Sequence, residues 1–156
     1  MTDSDNDARL YALKLLGYRG RSERELRERL HRKGFHHDLI DAALLSLKKA
    51  GLIDDRALAG NLKRQAFERK LLGYEGARSY MLKRGLPRHV VESSLTYNEE
   101  AELEHALKLV EKKLASMANY PAKKKKARLW NFLVRRGYSS GVIRKAMRDF
   151  NFDEEV

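Results

Sequence analysis

Leu103, Leu107, Val110, Leu114 and Met117 recur at alternating spacings of four and three residues, which places all five on one stripe of a helix. The stripe predicts a helix over roughly 99 to 118, packed against neighbouring helices, and corresponding leading helices are expected over roughly 8 to 16 and 55 to 72. No stretch alternates apolar and polar residues with a period of two. Only two prolines and ten glycines punctuate the chain. The expected fold class is all-α.

Aligning the chain on Gly34, Gly85 and Gly137, which are 51 and 52 residues apart, brings the flanking residues into register. Arg32-Lys33, Lys83-Arg84 and Arg135-Arg136 precede the three glycines as basic pairs. Four residues before each glycine stand Leu30, Met81 and Leu133, and one residue after it stand Phe35, Leu86 and Tyr138. These are the two apolar positions that meet in a Schellman cap when the glycine adopts a left-handed conformation. Leu39-Ile40, Val90-Val91 and Val142-Ile143, followed by Leu44, Leu95 and Met147, then mark the buried face of a third helix. Gly51 predicts one more cap, with Leu47 and Leu52 as its apolar pair. Helix starts are signalled by Ser22 with Glu25 as a capping box, by Pro87, and by Ser139 or Ser140. The pattern predicts three tandem three-helix repeats over 7–54, 55–98 and 99–152. About fifty residues bury little surface alone, so the repeats are expected to stack into an elongated, curved array.

Composition adds a partner. The chain has 33 Lys+Arg against 22 Asp+Glu, a formal charge of +11, unevenly spread at about +2 over 1–54, +5 over 55–98 and +4 over 99–156. A polyanionic or nucleoprotein partner is the expectation from that footprint. No cysteine is present, which leaves disulfides, thiolate nucleophiles and thiolate metal ligands out of account. The polar start MTDSDNDARL and the lack of any long apolar run predict a soluble, cytoplasmic protein that does not enter a membrane.

Catalytic chemistry finds little to rest on. Asp54-Asp55 has no partner motif and is expected to supply a helix cap. His31, His36 and His37 cluster without the spacing a zinc site needs, and they read as solvated residues at a turn. No phosphate loop and no nucleophile elbow can be found, so no catalytic, metal or cofactor residue is expected. The basic residues are the better candidates. Cations favour helix C-termini through the dipole whatever their function, but the pairs Arg32-Lys33, Lys83-Arg84 and Arg135-Arg136 repeat in every module. Lys123, Lys124, Lys125 and Lys126 oppose the dipole at a helix start, which makes sense facing phosphate or acidic side chains. Trp130, Tyr120 and Tyr138 flank that run; Trp130 is expected in the core with Leu133 and Val134.

The chain resembles the RecX regulatory proteins over nearly its whole length. The resemblance is carried by Ala8 to Leu16, by Arg21-Ser22-Glu23 with Glu25-Leu26, by Leu30 with Lys33-Gly34-Phe35, and most specifically by Gly51-Leu52-Ile53-Asp54-Asp55 with Ala59. Gly73 precedes Gly85 by twelve residues, as Ser22 precedes Gly34. Leu58 stands where an aromatic is usual, and Lys125 replaces the Ser or Gly of the third repeat. The resemblance implies binding in the groove of a RecA recombinase filament on single-stranded DNA, with inhibition of strand exchange and of RecA-dependent ATP hydrolysis, by a monomer that needs no cofactor. The basic pairs and Lys123 to Lys126 are then the candidate contacts to filament or DNA. An independent DNA-binding protein of helix-turn-helix type is the alternative, and a protein scaffold is a third reading.

Overall fold

A computed structural model describes residues 4–148 and 150 of the chain. The described residues form helices and no strands: α1 (Asp5–Tyr18), α2 (Glu23–Lys33), α3 (His37–Lys49), α4 (Asp55–Arg64), α5 (Tyr74–Lys83), α6 (Arg88–Ser94), α7 (Glu99–Ala115), α8 (Ala122–Arg135) and α9 (Ser140–Arg148). In chain order they fall into three sets of three. None is long and apolar enough to cross a membrane.

Each set owes its second helix and the turn after it to the same local chemistry. Gly34, Gly85 and Gly137 have φ of 104°, 86° and 84°, a region that side chains with a Cβ rarely enter. The N–H after each glycine donates to the carbonyl five residues back: Phe35 to Leu30 at 3.2 Å, Leu86 to Met81 at 3.4 Å and Tyr138 to Leu133 at 3.2 Å. Leu52 to Leu47 at 2.9 Å repeats the bond around Gly51. These are Schellman caps, and they satisfy carbonyls that the helix leaves open. At Gly51 only the backbone half is complete, because Leu52 is 50% exposed while Leu47 is buried.

The contacts divide the chain into two compact units. The first holds the described residues up to Leu62 together with Met81–Ser94, and the second holds Lys63–Tyr80 with the described residues from Leu95 onward. The 55–98 stretch therefore contributes to both. In the first unit α1, α2 and α3 enclose Ala8, Ala12, Leu26, Leu30, Ile40, Leu44 and Leu47. In the second, the α7 stripe packs with Leu129 and Leu133 of α8 and Val142, Ile143 and Met147 of α9. Trp130 packs partly buried against that core, whereas Val134, expected beside it, is 49% exposed.

Several starts differ from the expected form. Ser22 Oγ accepts the Glu25 N–H at 3.1 Å, but Glu25 does not return the bond. Its carboxylate pairs instead with Arg21 at 2.9 Å and with Arg19. A reciprocal capping box stands at Ser4 and Asp7. Asp54 caps α4, accepting from Arg56 and Ala57 N–H at 3.1 Å each, and Ser139 caps α9 by accepting from Val142 at 3.2 Å. The expected helix over 55–72 is α-helical only to Arg64. It widens into a π turn over Gln65–Arg69 and ends because Leu71 takes a φ of 54°. A left-handed leucine is strained and must be held by its neighbours.

Candidate functional site

The three basic pairs end α2, α5 and α8, where cations complement the helix dipole. Within the pairs the two residues do different things. Arg32, Lys83 and Arg135 are exposed. Arg84 and Arg136, one residue later, are half-buried and turn back onto the chain: Arg84 Nη2 donates to the Gly20 carbonyl at 3.2 Å, and Arg136 donates to the Lys70 carbonyl. Lys33, the corresponding residue of the first pair, is exposed with its ammonium 5.3 Å from the centre of the Tyr11 ring.

That difference belongs to a docking arrangement that occurs once in each unit. In the first, a Cβ on Gly85 would lie 2.5 Å from Ser22 Oγ, so the cap closing α5 sits against the residue capping α2. The Asp55 carboxylate, at the start of α4, accepts the Glu23 N–H at 3.0 Å, the first amide of α2. In the second unit the cap closing α8 sits against the start of α5. The Gly73 N–H donates to the Arg136 carbonyl at 2.8 Å, and Glu102 of α7 accepts the Tyr74 N–H at 3.2 Å, the first amide of α5. Glycine against a small residue, carboxylate onto the first amide, and arginine onto the loop before it thus appear once in each unit. Tyr138 adds a hydroxyl bond of 3.1 Å to the carbonyl of the strained Leu71.

Burial shapes two acidities here. It raises the Asp55 carboxyl above its ordinary value, against the lowering effect of the Glu23 N–H that the carboxylate accepts. It also pushes the Tyr138 hydroxyl up to about 12, helped by the Glu102 charge and opposed by Arg136.

The exposed members of the pairs open onto two clefts, one in each unit. The first, of about 380 Å³, gathers Arg24 and Arg32 of α2, Lys83 and Arg84 at the end of α5, and Arg19, together with Glu25 and Glu28. Arg32 of one expected pair therefore meets Lys83 and Arg84 of another in one place, in a mixed field. The second, of about 330 Å³, joins Lys113 of α7 and Arg128 and Arg135 of α8 with Asn131, Phe132 and Tyr120, and among the described residues no carboxylate lines it. Arg128 lies 4.6 Å from the centre of the Tyr120 ring, and Lys113 and Arg136 each lie 4.8 Å from that of Phe132.

Lys123 to Lys126 occupy the first turns of α8, whose start has no side-chain cap. Lys123, Lys124 and Lys126 are exposed and Lys125 is half-buried; among the described residues no carboxylate pairs with any of them. Sequence reasoning missed Arg19, Arg24, Lys113 and Arg128. A signal existed for one: Lys124, Arg128, Asn131 and Arg135 share one face of α8 at spacings of four, three and four. Lys113 reaches the cleft from another helix, and no local pattern could assign it. Of the clustered histidines, His36 caps α3, its Nδ1 accepting the Asp38 N–H at 3.3 Å.

Comparison with known proteins matches two stretches to family models, residues 8–47 to the first three-helix domain of RecX and residues 99–147 to its third. The regulatory protein RecX of Chlorobaculum tepidum is 33% identical over 138 residues, covering 88% of this chain and 84% of the relative. That of Thermus thermophilus is 36% identical over 143 residues, covering 92% of both. The crystal structure of RecX from Lactobacillus salivarius superposes with a TM-score of 0.77 at 21% identity, over 93% of this chain and 95% of that one, which supports the same fold. With the glycine-capped helices in register and relatives matched along nearly their full length, this chain belongs to the RecX family of regulatory proteins.

Proposed function

We propose that the chain regulates RecA by binding the recombinase filament on single-stranded DNA, and that it inhibits strand exchange and RecA-dependent ATP hydrolysis, thereby regulating DNA repair and recombination. Membership of the RecX family is the observation that carries this reading. The three modules, 7–54, 55–98 and 99–152, act together as a monomer in the cytoplasm. The mechanism is steric and electrostatic. Arg32, Lys83, Arg135, Lys123, Lys124 and Lys126 supply charge that faces solvent, with Lys125 half-buried among them, while Arg84 and Arg136 serve mainly to hold the modules that present it. Occupying the groove hinders pairing of incoming DNA and needs no covalent step. Lys33 contributes from the edge of the first module.

A sedimentation assay separates this reading from the others. The purified chain is spun with RecA filaments, with bare single-stranded DNA and with free RecA. Preferential recovery with filaments supports the proposal. Recovery with none of the three overturns it.

A further inference from the structure

The second cleft and the first differ in kind. Both are cationic, but the first carries Glu25 and Glu28 among its arginines, whereas the second presents Lys113, Arg128 and Arg135 with no acid among the described residues and adds Tyr120 and Asn131. We propose that the second cleft is a nucleotide subsite for single-stranded nucleic acid, taking phosphate on Arg128 and Arg135 and stacking a base at Tyr120. The inference rests on the proposed function in that it assigns the DNA contact of the same protein.

Five observations carry it. Among the described residues no acid lines the cleft beside these three cations, and like charges held together repel one another, which favours an anionic ligand. Arg128 and Arg135 are seven residues apart on α8, about 10 Å along its axis, far enough to take separate phosphates. Tyr120 remains 38% exposed and already carries the Arg128 guanidinium against its ring, so a flat face and a phosphate donor sit side by side. Stacking on an exposed ring beside a cationic groove is how single strands are held without base reading. The volume of about 330 Å³ is of the size that one nucleotide unit fills. Lys124, one turn before Arg128 on the same face, extends the cationic track toward the start of α8. An acidic peptide would satisfy the charges but would leave the ring and Asn131 without a role.

The test uses the full chain and a fluorescent thymidine oligonucleotide, followed by anisotropy at several salt concentrations, with polyglutamate as competitor. Tyr120→Leu should weaken binding by about tenfold, a stacking loss, and leave the salt dependence unchanged. Arg128→Gln with Arg135→Gln should lower the salt slope by roughly 0.7 for each lost phosphate contact. Helical circular dichroism should be unaltered in each variant, since the three side chains lie at the surface. Wild-type affinity in both the Tyr120 and the double arginine variant overturns the subsite. So does polyglutamate competition that the Tyr120 substitution leaves untouched while oligonucleotide binding also stays constant. If the wild-type chain binds filaments but no bare oligonucleotide, the subsite fails and the regulatory reading stands. If it binds the oligonucleotide through these residues but ignores filaments, the regulatory reading fails and the subsite stands.

Discussion

A methyl group on Gly73 would sit 2.6 Å from the carbonyl oxygen of Gly137, so the two glycines hold backbone against backbone where the end of α8 meets the start of α5. At the equivalent meeting a Cβ on Gly85 would come as close, 2.5 Å, to Ser22 Oγ, but the atom opposite belongs to a side chain rather than to backbone. At Gly34 a Cβ would meet nothing within 4 Å. Substitution by alanine should therefore be graded. Gly34→Ala should cost about 1–2 kcal/mol, for left-handed backbone alone. Gly85→Ala should cost more, and Gly137→Ala should be the most damaging, at roughly 4 kcal/mol or above, since backbone cannot step aside as a side chain can. Urea melts of the three variants check the order; equal losses would remove the docking role of Gly137.

The helix caps were legible because their chemistry is local. A glycine, an apolar residue on either side and a basic pair fit within six residues, and all four expected caps are present. The twelve-residue spacing of Ser22 and Gly73 was legible as a pattern, but its cause was not. Small residues are needed there because the next module's glycine lands on them, between residues 63 or 64 positions apart. Lys125 fills that register position in the third repeat. Asp55 was legible only as one of two possible caps of α4; Asp54 does that work, and Asp55 caps a helix 32 residues earlier. Nothing in the sequence near Leu71 announces a positive φ, because the cause lies in Arg136 and Tyr138.

Tyr138 should make the second unit sensitive to alkali. Its folded value of about 12 lies above the ordinary 10, so the protonated hydroxyl contributes stability fully below pH 10, and that contribution is lost as pH rises through 12. Tyr138→Phe should be less stable than wild type at pH 8, through loss of the bond to Leu71, and the gap should narrow from pH 10 upward. Thermal melts across that range check the sign. A gap that widens with pH would contradict it.

Asp55 predicts the opposite end of the scale. Its folded value is raised, so its contribution is greatest below the ordinary 3.8 and falls as pH rises through the folded value. Asp55→Asn keeps an oxygen that can accept the Glu23 N–H. Wild type should compare best with the variant near pH 3.5 and lose ground toward pH 6. Denaturation at matched ionic strength would show the reverse if the ionised carboxylate were favoured by its surroundings.

Replacing Lys123, Lys124, Lys125 and Lys126 by alanine should leave thermal stability unchanged or raise it by about 1 kcal/mol, since cations at a helix start oppose the dipole. Filament binding should weaken, with a salt slope shallower by roughly 0.7 for each phosphate contact removed. A drop in stability with intact, equally salt-dependent filament binding would show that the run serves the fold.

Titration of the purified chain into RecA filaments preassembled on single-stranded DNA, with strand exchange and ATP hydrolysis followed in the same samples, tests the regulatory reading most directly. Both rates should fall with added chain, the Arg32→Glu with Lys83→Glu variant should inhibit less, and rising salt should relieve the inhibition. Rates that stay constant at a large excess of folded chain would contradict it.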